Sequence, residues 1–282
     1  MSRSTAALPA LLAVVSSLVL GAGGLFLGFL LLNVAALALV IAGVDISPTL
    51  TIVLSLAFVQ GVGCVLVALA YVRNRKRVSA VVNDLLGDGG PGIPFSVGFA
   101  RPDLRDGAAA VGAYLAAFVG GPIIAGTIAG LLAQSIGAET GQNSAVEIAL
   151  ESPELLLLMI PASILLVGPG EELLFRGVVQ GRLREVFGPV ASVVLAGTVF
   201  AGLHWFALSG GDPAGNLLAL GVLLVPSYVF GASYELTGNI LVPSLAHGLY
   251  NATLFTLLYV LIVYGGMMEG ASAPELGATV TV

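Results

Sequence analysis

Hydrophobic positions in this chain run in long blocks, and polar positions collect in the short gaps between them. A block must reach roughly 20 residues to cross the ~30 Å hydrocarbon core of a bilayer. Blocks over about 49–71, 108–132, 154–187, 189–209, 215–234 and 240–264 each read as one crossing helix. The block from Ala6 to Gly43 is too long for one ordinary span at ~1.5 Å per residue. Gly21, Gly23, Gly24 and Gly28 are places where it could kink or fold into a hairpin. The pattern predicts an all-α, polytopic integral membrane helical bundle of about seven to eight transmembrane helices.

The gaps organise the rest. Asp84 to Pro94 is rich in Gly, Pro and Asp and reads as a loop. It belongs to a polar connection over 73–106, and an acidic loop carries Glu139, Glu147 and Glu151. Gly168-Pro169-Gly170 interrupts the fourth span. Gly126 and Gly130 have the spacing of a close helix contact, and Gly177 and Gly181 read as intramolecular contacts rather than a dimer motif. Three regions follow: N-terminal membrane helices over 1–150, a chemistry-bearing helical core over 151–265, and an acidic, disordered tail over 266–282. Arg73, Arg75, Lys76, Arg77, Arg101 and Arg105 share one side with Arg182 and Arg184, and Arg3 joins them if the first block crosses once. The positive-inside rule makes that side cytoplasmic, in a multi-pass protein of the cell membrane.

Composition agrees. Hydrophobic residues make up 57% and charged residues 9% of the chain, against about 25% charged in soluble domains. A net charge of −6 excludes nucleic acid as a natural partner. Cys64 is the single cysteine, so there is no intrachain disulfide and no cysteine-based metal site. The first block outruns a signal-peptide core, so it is expected to be retained.

Charged groups inside spans are costly and need a partner or a task. They are few here: Glu171, Glu172 and Arg176 on the fourth span, His204 on the fifth, and His247 with Asn251 on the seventh. Glu172 and Arg176 stand four apart, acid before base, as in a same-face ion pair. Glu171 points about 100° away, with no such partner on its own helix. One carboxylate can thus be neutralised while the other stays available as a general base. Glu171 precedes the turn at Gly188 by about 17 residues and His204 follows it by about 16, which sets both roughly 25 Å from the turn. Phe200 shares a face with His204, and His247 with Asn251. Glu171 with His204 can hold and deprotonate a water, and Asn251 can donate to the oxyanion formed on attack at a carbonyl. His247 can donate to the same oxyanion or bind a metal. Glu171, His204 and His247 also match the ligand set of some zinc sites, so metal-dependent and metal-free versions both stay open.

These motifs resemble those of the type II CAAX prenyl endopeptidase and bacteriocin-processing family: E-E-x-x-x-R at Glu171, Glu172 and Arg176, F-x-x-x-H at Phe200 and His204, and H-x-x-x-N at His247 and Asn251. The turn Leu236-Thr237-Gly238-Asn239 is similar to that family's lead-in to the last motif. The resemblance covers about 154–264. It implies a membrane-level site open toward the cytoplasmic half, and peptide-bond hydrolysis with Glu171 and His204 activating water and His247 and Asn251 stabilising the oxyanion. It implies a membrane-associated peptide or lipidated protein as substrate, and zinc as a cofactor in the metal-dependent version. Two other readings compete: a non-catalytic immunity or scaffold protein of the same family, and a transporter with a midplane site at the broken fourth helix.

Overall fold

In the computed structural model, residues 3–86 and 95–272 are described. Among them are seven helices long and apolar enough to cross a membrane: α1 (Ala7–Ile41), α2 (Pro48–Val78), α3 (Leu104–Ile136), α4 (Glu154–Arg184), α5 (Pro189–Ala207), α6 (Pro213–Thr237) and α7 (Leu241–Gly265). The only pairing of strands among the described residues joins β1 (Gln142–Asn143) to β2 (Leu208–Ser209). The fold is an all-α polytopic bundle.

Helix starts are written in local chemistry. Ser47 precedes Pro48 and its hydroxyl accepts from the Leu50 amide. Asp103 forms a capping box with Asp106 ahead of α3. Asp212 precedes Pro213 and accepts from the Gly215 amide. In each case a side-chain oxygen satisfies an otherwise unpaired helix amide, and proline costs nothing at the first helical position. Gly137 and Gly238, with φ of 68° and 62°, end α3 and α6 in the left-handed region.

The first apolar block crosses once, as a continuous helix, Arg3–Ile41. Its glycines serve packing instead of bending. A methyl group on Gly28 would come within 2.5 Å of the Val59 backbone, and one on Gly24 within 2.4 Å of Leu174. Gly23 has nothing within 4 Å. Gly126 and Gly130 face no neighbouring helix; the close approach of α3 is at Gly120 and Gly121, against Val225 and Pro226 of α6. Gly177 and Gly181 are covered from within the chain, by Val97 and Phe95.

The fourth span is not broken at Gly168-Pro169-Gly170. The chain stays helical there, with wider π-helical turns over Ser163–Val167 and Leu173–Gln180 on either side. Pro169 supplies no amide, and the wider turns absorb the lost hydrogen bond. The two glycines mark helix crossings. A methyl on Gly168 would meet the Ser244 carbonyl of α7 at 2.4 Å, and one on Gly170 would meet the Gln60 carbonyl of α2 at 2.2 Å. Helix α4 is therefore continuous where the transporter reading expected a broken helix.

α4 is the hub. Half of its apolar window is buried, against 11% for α1. Leu174, Phe175, Val178, Val179 and Leu183 pack with Ala13, Cys64, Tyr71, Ala196 and Phe200 of α1, α2 and α5. Outward positions such as Phe26, Leu165, Val190 and Leu261 are apolar and exposed, as a lipid-facing surface requires.

Two loop clusters close the ends. On the end carrying Arg73–Arg77, residues 95–100 lie across the bundle: the Gly98 amide donates to the Tyr234 hydroxyl at 2.9 Å, and Asn239 Nδ2 donates to Asp106 at 2.9 Å. Arg75 pairs with Glu185 beside them. At the opposite end, the expected acidic loop carries a short helix (Ser144–Glu151) as well as β1. Asp212 accepts there from the Glu139 amide at 2.7 Å, and the backbone amides of Gly215 first and Glu139 next hold its carboxyl below the usual range. Helix α2 continues past Val78 to Leu86, so most of the expected loop over 84–94 lies outside the described residues. The last helix runs to Ser272, past position 266, and 273–282 also lie outside them.

If Gly28 is a contact glycine, Gly28→Ala should destabilise the protein by about 1–3 kcal/mol through overpacking, while Gly23→Ala should be neutral. Thermal unfolding of both variants in detergent checks this.

Candidate active site

Glu171 and Glu172 are adjacent, and their helix sends them to different surroundings. Glu172 is fully buried. Its Oε2 lies 3.1 Å from Arg176 Nε, at ion-pair distance though without hydrogen-bond alignment, and its Oε1 lies 2.8 Å from His247 Nδ1. Arg176, also fully buried, donates from Nη2 to the Ser227 carbonyl at 3.1 Å and sits 4.8 Å over the Phe200 ring. These partners answer the large cost of placing charge in an apolar interior.

Glu171 faces a chamber of about 270 Å³. Its walls carry Glu171, Phe200, His204, His247 and Asn251, so helices α4, α5 and α7 deliver the predicted residues to one space. Glu171 makes no hydrogen bond among the described residues; its Oε2 is 3.9 Å from His247 Nε2. Glu172 and Arg176 stand behind the wall and do not line it.

Hydrogen bonds fix the histidine tautomers. A carboxylate only accepts, so His247 Nδ1 carries the proton it donates to Glu172, and Nε2 faces Asn251. Asn251 Nδ2 donates to that Nε2 at 3.2 Å. These two contacts hold His247 between Glu172 and Asn251. The ring is fixed by Phe230, stacked at 5.0 Å, and by Phe200, edge-on at 5.9 Å. His204 Nδ1 donates to the Phe200 carbonyl at 2.8 Å, one helical turn back, which leaves its Nε2 free as an acceptor. Phe200 touches Phe175, His204 and His247 at once, so it is the aromatic centre of the site and not only a wall.

The zinc ligand set does not assemble. Among the described residues, no three His, Cys, Asp or Glu side chains come together closely enough to share a metal ion. The His247 lone pair that a metal would need already accepts from Asn251.

Polar residues outside the sequence motifs also line the chamber. Gln60 of α2 and Ser227 of α6 line the space, and Gln60 Oε1 and Ser227 Oγ are buried with no hydrogen-bond partner. Gln60 is a polar residue in an apolar run, which is a weak signal. Its placement depends on the contact of its carbonyl with Gly170, which spacing along the chain cannot show.

The chamber runs toward one end of the bundle. From Glu171 it extends along Leu254, Phe255 and Leu258 to Asn143 and Val146, at the end opposite Arg73–Arg77.

No curated protein and no solved structure matched the chain. Residues 153–253, which run from the start of α4 into α7, match the family model described as Rce1-like, type II CAAX prenyl endopeptidase Rce1-like. Through that segment, about a third of its length, the chain is similar to the Rce1-like type II CAAX prenyl endopeptidases, a family of membrane proteases.

Proposed function

We propose that this protein hydrolyses peptide bonds inside the membrane, with Glu171 as general base. The observation that carries the proposal is the unequal fate of two neighbouring carboxylates: Glu172 is consumed by Arg176 and His247, and Glu171 faces the chamber without a hydrogen-bonded partner.

The chemistry follows from the donors and acceptors present. A water entering the chamber donates one hydrogen to Glu171 and the other to His204 Nε2, which turns its oxygen toward a substrate carbonyl. As the C–O bond forms, its proton passes to Glu171 and negative charge moves to the carbonyl oxygen. Asn251 keeps one of its two amide hydrogens for that oxyanion while the other stays on His247. Collapse of the intermediate breaks the C–N bond, and Glu171 hands its proton to the leaving amine. His247 is a positioning residue in this scheme, through Glu172 on one side and Asn251 on the other. Gln60 and Ser227 offer unpaired groups to the substrate backbone. No step passes through a metal, because the available donors do not form a ligand set.

A scaffold or immunity role without chemistry would have no use for an unpaired carboxylate in a buried chamber, where its desolvation is costly.

Glu171→Gln should lower cleavage by about 10²–10⁴-fold while membrane accumulation is unchanged; a time course on purified protein reads this, and undiminished turnover would rule Glu171 out. Gln60→Leu should raise KM more than it lowers kcat. Activity should survive chelation and not track bound metal, measured by elemental analysis of the same sample. Arg176→Met should cost about 3–5 kcal/mol, because it leaves Glu172 buried without its cation. The double variant Glu172→Gln with Arg176→Met should recover most of that stability in thermal unfolding.

A further inference from the structure

One end of the chamber is blind and the other is built as a mouth. Below the site, toward the end carrying Arg73–Arg77, the space is filled by Arg176, Gln180 and Leu183, all essentially without solvent exposure. The segment over 95–100 then lies across that end, with Phe95 against Gly181 and Val97 against Gly177. Asn239 and Tyr234 fasten it by hydrogen bonds. Nothing lines the chamber from this segment.

Toward the other end the lining continues to Leu258, Asn143 and Val146. The rim there is ordered by specific bonds: Gln142 and Asn143 pair with Ser209 and Leu208, Ser144 Oγ donates to the Ala207 carbonyl at 2.9 Å, and Asp212 ties Glu139 to the start of α6. Trp205 and Phe206 of the same rim are exposed, which suits the interfacial level of a bilayer.

Charge distinguishes the two ends. Following the helices in turn, every Lys and Arg of the sequence except Arg176 falls on the blind end, Arg73, Arg75, Lys76 and Arg77 among them. The mouth end carries Asp45, Glu139, Glu147, Glu151, Glu154 and Asp212, and no Lys or Arg among the described residues. Basic residues beside the membrane stay in the cytoplasm.

Resting on the protease reading above, we infer that the chamber opens on the extracytoplasmic face and takes a peptide segment presented from that side of the membrane. A tail lipidated in the cytoplasm lies at the blind end and has no path to Glu171 along the chamber.

Cysteine labelling tests this in the full chain. Cys64 is buried, so the unaltered protein serves as the blank for a membrane-impermeant maleimide. Glu147→Cys and Arg77→Cys are exposed positions at the two ends, and Val146→Cys with Arg101→Cys is a second pair should either variant fail to accumulate. In intact cells the mouth-end cysteine should react and the blind-end cysteine should react only after permeabilisation, a contrast of at least about tenfold. The reverse pattern, or equal labelling of both in intact cells, overturns the inference. Labelling requires no cleavage, so a failed protease reading would appear separately, as undiminished cleavage by Glu171→Gln.

Discussion

A carboxylate buried in a membrane protein must find its counter-charge within the bundle, because the bilayer core offers none. In this chain that requirement falls on Glu172. Arg176 meets it from one turn along the same helix, and His247 meets it from α7. The triad does more than neutralise charge. It locks the tautomer of His247, which leaves Nε2 to accept from Asn251, and it sets α4 against α7 at the level of the chamber. Glu171, one residue earlier, is left facing that space. The proposed division of labour between the two carboxylates depends on this one buried network.

The network can form only because the helices come unusually close. Glycine at 168 lets α7 reach α4, and glycine at 170 lets α2 reach it, with Glu171 immediately following. The π-helical turns on either side spread the strain of Pro169 without breaking the helix. Packing of α1 on α2 through Gly24, Gly28 and Gly63 extends the same logic outward, so helices outside the family-matched segment help to bring Gln60 into the chamber wall.

Much of this was legible in the sequence, for reasons that differ by residue. Helix number followed from block length, because bilayer thickness is a fixed ruler. The pairing of Glu172 with Arg176 followed from their spacing, and the common level of Glu171 and His204 from counting out of the turn at Gly188. Contacts between distant helices were not legible. A glycine read as a break proved to be a contact at Gly168 and Gly170, because sequence shows the missing side chain and not the neighbour that uses its absence. The His247 bond to Glu172 was hidden for the same reason. The direction of the chamber depends on how residues 95–100 and 139–146 fold back over the helix ends, which periodicity does not describe.

The central claim is that solvent water, activated by Glu171, attacks the peptide carbonyl directly. The most direct measurement is a single turnover in H₂¹⁸O with enzyme in excess over a peptide that the protein cleaves, followed by mass analysis of the new C-terminus. The account predicts one ¹⁸O in the first-turnover product. Product carrying only ¹⁶O would mean that oxygen came from an enzyme carboxylate through a covalent intermediate, and would contradict it.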